Sequence, residues 1–498
     1  MPDPTEQAAA QAAPAAATAE LSEFDALLNK EFKSKTDEAK SAVKLAVQTL
    51  AQQAIGATAL ISDDAIKTIE AIIAEIDRKL TEQVNLILHH QDFKSLEGSW
   101  RGLHYLVNNT ETGENLKIRV MNISKKEVSK TLKKFKGTAW DQSPLFKKLY
   151  EEEFGMPGGQ PFGCLMGDYY FDHSAPDVEM LAGIAQISAA AHAPFLAAAA
   201  PSLLNMDTWQ ELSNPRDLAK IFGTPAYASW KSLRESEDSR YLGLTMPRVL
   251  ARMPYGAKTN PVDEFAFEED TAGADHTKYV WTNAAYSMAT NVTRSFKLYG
   301  WCARIRGAES GGMVEGLPVH AFPTDDGGVD MKCPTEIGIT DRREKELADC
   351  GFMPISHWKN TDFAVFVGAQ SLQKPAAYDD ADATANANLA ARLPYLFATC
   401  RFAHYLKCMV RDKIGGFASR ESMELWLNKW IGKFVDSGTD SPDDIKARFP
   451  LAEAQVVVEE DKENPGYYQS KFFLRPHYQL EGLTVSLRLV SKLPKDKK

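Results

Sequence analysis

Ser310 lies in Gly307-Ala-Glu-Ser-Gly-Gly312, a stretch that resembles the turn presenting a catalytic serine. That elbow needs a glycine two residues before the nucleophile, and none is there, so the stretch reads as a glycine-rich turn. His89-His90-Gln-Asp92 contains metal-ligating side chains. Adjacent helical residues point about 100° apart and cannot easily share one ion, so the pair reads as a helix end favoured by the C-terminal dipole. Asp325-Asp326-Gly327-Gly328 has carboxylates but lacks the bidentate Glu and alternating oxygens of a calcium loop, and reads as a hairpin turn. The chain contains no GxxxxGK[ST], no strand-linked GxGxxG and no HExxH. A basic set remains: Arg401, His404, Lys407 and Arg411 fall within roughly a third of a helix circumference. Phe402, Tyr405, Leu406, Met409 and Val410 cover the other side. This stripe could face an acidic surface; solvated charge or pairing with the chain's own carboxylates is the alternative.

The elements that must position these residues follow from periodicity. Residues 1–19 are Ala, Gln, Pro and Thr with almost no bulky side chain, which predicts a disordered leader. Residues 20–34 carry a cap candidate, Ser22, then Phe24, Leu27, Leu28 and Phe32 at helical spacing with charges opposite. A one-faced helix on a leash suits a recognition tag; packing on the chain's own body is the alternative. After Ser62-Asp63-Asp64, the stripe Ile66, Ile69, Ile72, Ile73, Ile76, Leu80, Val84 and Ile87 predicts a long helix. It must be covered by a partner helix or by the core. Leu116–Val120 alternates like a half-buried strand. Residues 62–375 mix short apolar runs such as Phe363–Val367 with Ala-rich helical stretches and Gly/Pro turns, predicting a mixed α/β body.

A composition shift at 373–386 marks a seam, and 380–498 is read as a second domain. Helices are expected at about 387–413 and 419–435, separated by Gly415-Gly416, then a strand at 455–459. In the final segment Leu483, Val485, Leu487 and Leu489 alternate with Thr484, Ser486 and Arg488. A last strand with no following partner presents a free edge that can pair with another chain; pairing within its own domain is the alternative.

Bulk properties narrow the function classes. The 498 residues are 44% hydrophobic and 25% charged, enough for a sizeable core. A net charge of −10 argues against a general nucleic-acid binder. No window approaches the ~18 apolar residues of a membrane span. Six cysteines without CxxC spacing read as reduced, mostly buried thiols of a cytoplasmic protein.

Several stretches together are similar to one family. Ser99-Trp-Arg-Gly-Leu-His-Tyr-Leu-Val107, Leu165-Met-Gly-Asp-Tyr-Tyr-Phe171, Tyr241–Gly256 and Gly300-Trp-Cys-Ala-Arg-Ile-Arg-Gly307 resemble its N-terminal motifs. Arg392-Leu-Pro-Tyr-Leu-Phe397, Arg401–Lys407, Arg411-Asp-Lys-Ile-Gly415, Pro476–Leu480 and Ser486–Ser491 resemble its C-terminal part. The family is the large contractile-sheath subunit of type VI secretion (TssC/VipB), and the resemblance runs from about residue 62 to the end. It implies a phage-tail-sheath-like fold whose C-terminal domain is completed by a small sheath subunit (TssB/VipA). It also implies a helical lattice of copies around an Hcp tube, a baseplate, and dismantling by the AAA+ ATPase ClpV in the cytoplasm of a Gram-negative bacterium. The 20–34 helix would then be the ClpV handle, the final strand the inter-subunit link, and the basic stripe tube-facing. No catalytic residue, metal or cofactor is implied for the sheath protein. A non-polymerising scaffold, or an enzyme of unrecognised class with a regulatory tail, are the competing readings.

Overall fold

The computed structural model describes residues 41–45, 49, 65–214, 217–271, 273, 275–324, 326–413, 416, 419–438, 440–460, 468–477 and 479. The leader, the Phe24–Phe32 helix and the Leu483–Leu489 strand lie outside the described residues. The chain divides into two compact units, one comprising residues up to His90 with Pro254–Asp270, the other Gln91–Met253 with Thr271–Lys498.

In the first unit the predicted stripe forms helix α1, Ala65–Leu88. Its end is tied to the 254–270 segment by the Asn85 side chain, which donates to the Glu268 carbonyl (3.0 Å) and accepts from the Asp270 amide (2.8 Å). His89 and His90 follow the last helical turn, as read, and His89 Nε2 lies 3.5 Å from the buried Glu269 carboxylate.

The second unit is built on a six-stranded sheet. Along the chain the strands are β1 Leu165–Phe171, β2 Phe195–Ala199, β3 Leu242–Met246, β4 Val249–Leu250, β5 Trp281–Thr282, β6 Met313–Val314, β7 His320–Pro323, β8 Val329–Lys332, β9 Phe352–His357, β10 Ala364–Phe366, β11 Leu451–Glu460 and β12 Tyr468–Pro476. The sheet order is β1-β2-β3-β9-β10-β6, parallel from β1 to β9 and antiparallel thereafter. β2 and β3 are buried at every position, which is why Phe-Leu-Ala-Ala-Ala and Leu-Gly-Leu-Thr-Met show no polar alternation.

The principal helices of this unit are α2 Gln91–Asn108, α3 Ala175–Ala191, α4 Ala284–Tyr299, α5 Leu393–Lys413 and α6 Arg420–Ile431. Strand side chains alternate between two cores. Phe195, Ala197, Leu244 and Phe352 join α3 residues Leu181 and Ile184 with Trp209 and Trp230. On the other face Leu196, Met353 and Ile355 join α4 residues Ala285 and Met288 and the start of α5, Leu393, Leu396 and Phe397. This layering is the α/β body expected from the sequence.

Helix α2 reaches the body through Gly98 and Gly102. A Cβ on Gly102 would sit 2.3 Å from the Tyr286 ring, so only glycine permits this approach. Its opposite face leaves Leu96, Trp100 and Val107 exposed.

Three expectations are corrected. Leu116–Val120 has no ladder partner among the described residues; Leu116 and Ile118 are half-buried in a coil. The helix expected at 387–413 is two, Ala381–Ala390 and α5, because Pro394 cannot continue a helix but fits the first turn of a new one. Across the 373–386 stretch the chain stays within the second compact unit, and α5 runs from the body's second core into a third cluster. There Phe402 and Leu406 pack with Trp301, Leu427, Ile431, Leu451, Val456 and Val458. All six cysteines are free, but two are buried and four half-buried.

Candidate assembly surfaces

β11 and β12 form an antiparallel two-stranded ribbon beside α6. Backbone groups along such a pair point alternately to the partner and away from it. Three outward groups of β11, both of Val456 and the amide of Val458, are already occupied. Asn428 on α6 accepts from the Val456 amide (2.9 Å) and donates to the Val456 carbonyl (2.7 Å). Glu424, one turn earlier, accepts from the Val458 amide (3.0 Å). A side-chain carboxamide and a carboxylate thus replace a neighbouring strand. Ser419 caps the helix that carries them by accepting from the Ser422 amide.

The other edge differs. Val456 faces Phe472 and Val458 faces Ser470 across the ribbon. Because Val456 and Val458 turn their amides away from β12, Ser470 and Phe472 turn theirs away from β11. No strand pairs with that edge among the described residues. Phe473 beside it is 58% exposed. On the solvent face Lys471–Glu459 (2.7 Å) and Arg475–Glu453 (3.1 Å) contribute to register more than to stability. Beyond β12, Gln479 is fixed to the body. It donates to the Ala303 carbonyl (2.8 Å), accepts from Arg306 Nε (2.8 Å), and its amide donates to Tyr395 Oη (2.9 Å).

His404 of the basic stripe on α5 is buried, which corrects the tube-facing reading for that residue, while Arg401, Lys407 and Arg411 are half-buried. His404 is 2% exposed, and Nε2 lies 2.8 Å from the Ala191 carbonyl, so this nitrogen donates. Lys407 Nζ lies 3.6 Å from the Phe154 ring centroid and donates to Tyr150 Oη at 3.2 Å. The Arg401 guanidinium is 4.7 Å from the Tyr405 ring. Arg411 Nη2 reaches only the Cys408 sulfur, at 3.8 Å. None of the four forms an ion pair with a carboxylate among the described residues, so the alternative of internal carboxylate pairing is not found either. Arg401 and Lys407 lie against aromatic faces, which attract cations with less loss of hydration than a buried carboxylate pair entails. Phe146, Tyr150 and Phe154 recur every four residues, a helical ladder that was legible, but nothing local connected it to residues 250 positions later.

The remaining chemical candidates resolve as turns. Gly312 donates to the Gly307 carbonyl (2.8 Å), closing the turn around Ser310. β7 and β8 form the hairpin expected around Asp326-Gly327-Gly328. Among the described residues no group of His, Cys, Asp or Glu is arranged to hold a metal ion. On α1, none of the side chains described is buried, and Ile73, Leu86 and Ile87 are exposed.

Two tail-sheath models cover the chain: the EvpB/VC_A0108 tail sheath N-terminal domain (VipB) matches residues 70–373, and the EvpB/VC_A0108 tail sheath gpW/gp25-like domain matches residues 382–493. The chain belongs to the VipB tail-sheath family. A curated relative, the type VI secretion system sheath protein TssC1 of Pseudomonas aeruginosa PAO1, is 72% identical over 481 residues, 96% of this chain and 97% of that one. Two solved anti-feeding prophage structures align loosely. The baseplate gives a TM-score of 0.34 at 11% identity over 64% of this chain and 67% of the other. The contracted helical sheath gives 0.28 at 13% over 63% and 75%. Neither superposition is close enough to transfer a feature.

In this VipB-family protein the burial of His404 has a measurable consequence. Burial, reinforced by Arg401, His192 and Lys407, pushes the His404 imidazole down to about 4 even though its bond to Ala191 opposes the shift. The unfolded chain, with an ordinary value near ~6.5, binds the extra proton first, so stability falls as pH drops from about 6.5 and levels off below about 4. His404→Gln keeps a donor for the Ala191 carbonyl without a titrating ring. Urea denaturation between pH 7 and 4 should show the parent chain losing on the order of 3 kcal/mol more than the variant. Parallel losses would remove His404 as the titrating group.

Proposed function

We propose that this sheath protein is the large subunit of a contractile type VI apparatus. It pairs with a small sheath subunit, polymerises helically around an Hcp tube, contracts to propel it, and is dismantled by ClpV. The role is structural rather than catalytic, and the site is the cytoplasm; among the described residues no helix is long and apolar enough to cross a membrane.

The observation that carries the reading is the asymmetry of the β11–β12 ribbon. α6 occupies one edge through Asn428 and Glu424, while β12 keeps its Ser470 and Phe472 backbone groups for an incoming strand. Each added ladder bond contributes a net ~0.5–1.5 kcal/mol, so a strand of this length makes a moderate, reversible link. A strand donated by one copy to a different segment of the next is a head-to-tail contact, and head-to-tail contacts propagate into filaments instead of closing. The alternating Leu483, Val485, Leu487 and Leu489 segment is the strand this chain offers to a neighbour.

The unburied α1 stripe supports the small subunit as a second contact. Each aliphatic side chain covered by a partner helix contributes about 1.5–3 kcal/mol before association costs. The Phe24, Leu27, Leu28 and Phe32 helix is proposed as the ClpV handle on its sequence pattern alone.

Three outcomes test this reading. Phe472→Pro removes an outward amide from β12, and co-expression with the small subunit should then yield soluble heterodimers without striated tubules in negative stain. Tubules of normal length would mean that β12 accepts no strand. Ile76→Asp should reduce co-purification of the small subunit at least tenfold, the equivalent of ~1.4 kcal/mol; undiminished recovery would assign α1 to another contact. Deleting residues 20–34 should spare tubules while abolishing their disassembly by ClpV with ATP, and continued disassembly would place the handle elsewhere.

A further inference from the structure

The chain is acidic as a whole, yet between Glu114 and Asp141 it carries eight Lys and Arg residues against one carboxylate, Glu127. Six of those cations are lysines on or just beyond the helix Lys125–Lys134. The lone carboxylate is used by the backbone. Glu127 Oε2 accepts from the Ser124 amide (2.8 Å) and hydroxyl (2.7 Å), and Ser124 Oγ accepts from the Glu127 amide (3.3 Å), a reciprocal cap. Two lysines are also used within the fold. Lys125 donates to Asp177 Oδ2 and to the Tyr170 carbonyl, both at 2.6 Å, and Lys136 pairs with Glu179 at 3.0 Å. Lys126, Lys130, Lys133 and Lys134 are exposed and form no ion pair among the described residues.

At 100° per residue these four lysines lie within an arc of roughly 100° and about 12 Å of helix axis. The opposite side of the helix is fixed. Val128 is buried, and Leu132 rests so closely on α3 that a Cβ at Gly183 would meet its Cδ1 at 3.2 Å. The stripe is therefore held toward solvent. Lys126, Lys130 and Lys134 also form an i, i+4 row of like charges, which costs the isolated helix stability. An anionic surface laid along the row relieves that repulsion.

The same chain carries a complement. No Lys or Arg occurs between Lys374 and Arg392, while Asp379, Asp380 and Asp382 stand at the start of the helix Ala381–Ala390. All three are exposed and none forms an ion pair among the described residues. Asp380 caps the helix by accepting from the Asp382 amide at 3.1 Å. A nucleic-acid duplex or an anionic bilayer presents charge over a far longer span than the stripe, and a net charge of −10 opposes approach to either. A short acidic helix start matches the stripe in both length and sign.

We propose that Lys126, Lys130, Lys133 and Lys134 of one copy dock on Asp379, Asp380 and Asp382 of a second copy. This contact presupposes the polymer proposed above and names one of the surfaces that build it. Exposed ion pairs are individually weak, and their larger effect is to steer and orient the partners. Repeated at every subunit, such a contact sets the register of incoming copies and stays reversible, because it buries no large apolar surface.

The test co-expresses the full-length chain with the small sheath subunit and measures the tubule fraction that pellets, checked in negative stain. Lys126→Glu, Lys130→Glu and Lys134→Glu together should lower that fraction at least about fivefold. Asp379→Lys with Asp382→Lys, which leaves the Asp380 cap in place, should do the same. Both variants should still co-purify with the small subunit at the parental yield, a sign that they are folded. One chain carrying all five substitutions restores opposite charges across the contact and should recover at least half of the parental tubules. Parental tubule yield from the folded lysine variant would overturn the proposal, as would a five-fold substituted chain that folds and recovers nothing. Loss of binding to phosphatidylglycerol vesicles or duplex DNA in the lysine variant, with tubules unaffected, would assign the stripe to a polyanion and overturn it too. Absence of tubules from the parent chain would instead remove the sheath reading on which the contact rests.

Discussion

Helix α5 packs against two different cores, and most of what surrounds it depends on that arrangement. Its first turns, Leu393 to Cys400, close the second face of the central sheet. Its later turns, Phe402 and Leu406, form the floor on which α6 and β11 rest. A 21-residue helix committed at both ends cannot tilt in one core without disturbing the other. On the polar face between them His404 is buried and the three cations are half-buried, a setting in which aromatic faces can take the place of carboxylate partners. Aromatic rings from residues 150 and 154 supply that environment.

The same helix explains which parts of the chain were legible from sequence. Short apolar runs at 363–367 and 455–459 became β10 and β11, and the isoleucine stripe became α1, because each pattern is local. The break before Leu393 was also local, since Pro394 carries the signal. What could not be read depends on distant neighbours. Leu116–Val120 alternates correctly but finds no strand to pair with among the described residues. The basic stripe looked solvent-directed because a helical wheel does not reveal that Ala191, Tyr150 and Phe154 pack beside it. The Asn428 and Glu424 contacts were missed for the same reason: two polar residues four apart on a helix ordinarily face water.

The family assignment and the physical reading support one another at different scales. Matches along most of the chain say what kind of protein this is. The ribbon says where a subunit of that kind has backbone left over for a neighbour.

The Asn428 carboxamide has a wider consequence. It offers β11 the donor and acceptor that a peptide group would, then ends, because a side chain has no next residue to continue the ladder. Sheets with two sticky borders are prone to runaway stacking, the geometry of amyloid. A ribbon with one border interrupted by its own helix at Val456 and Val458 has a finite valence. A chain destined to be stored at high local concentration beside identical copies can therefore carry an exposed β-edge and still build an ordered lattice rather than a fibre.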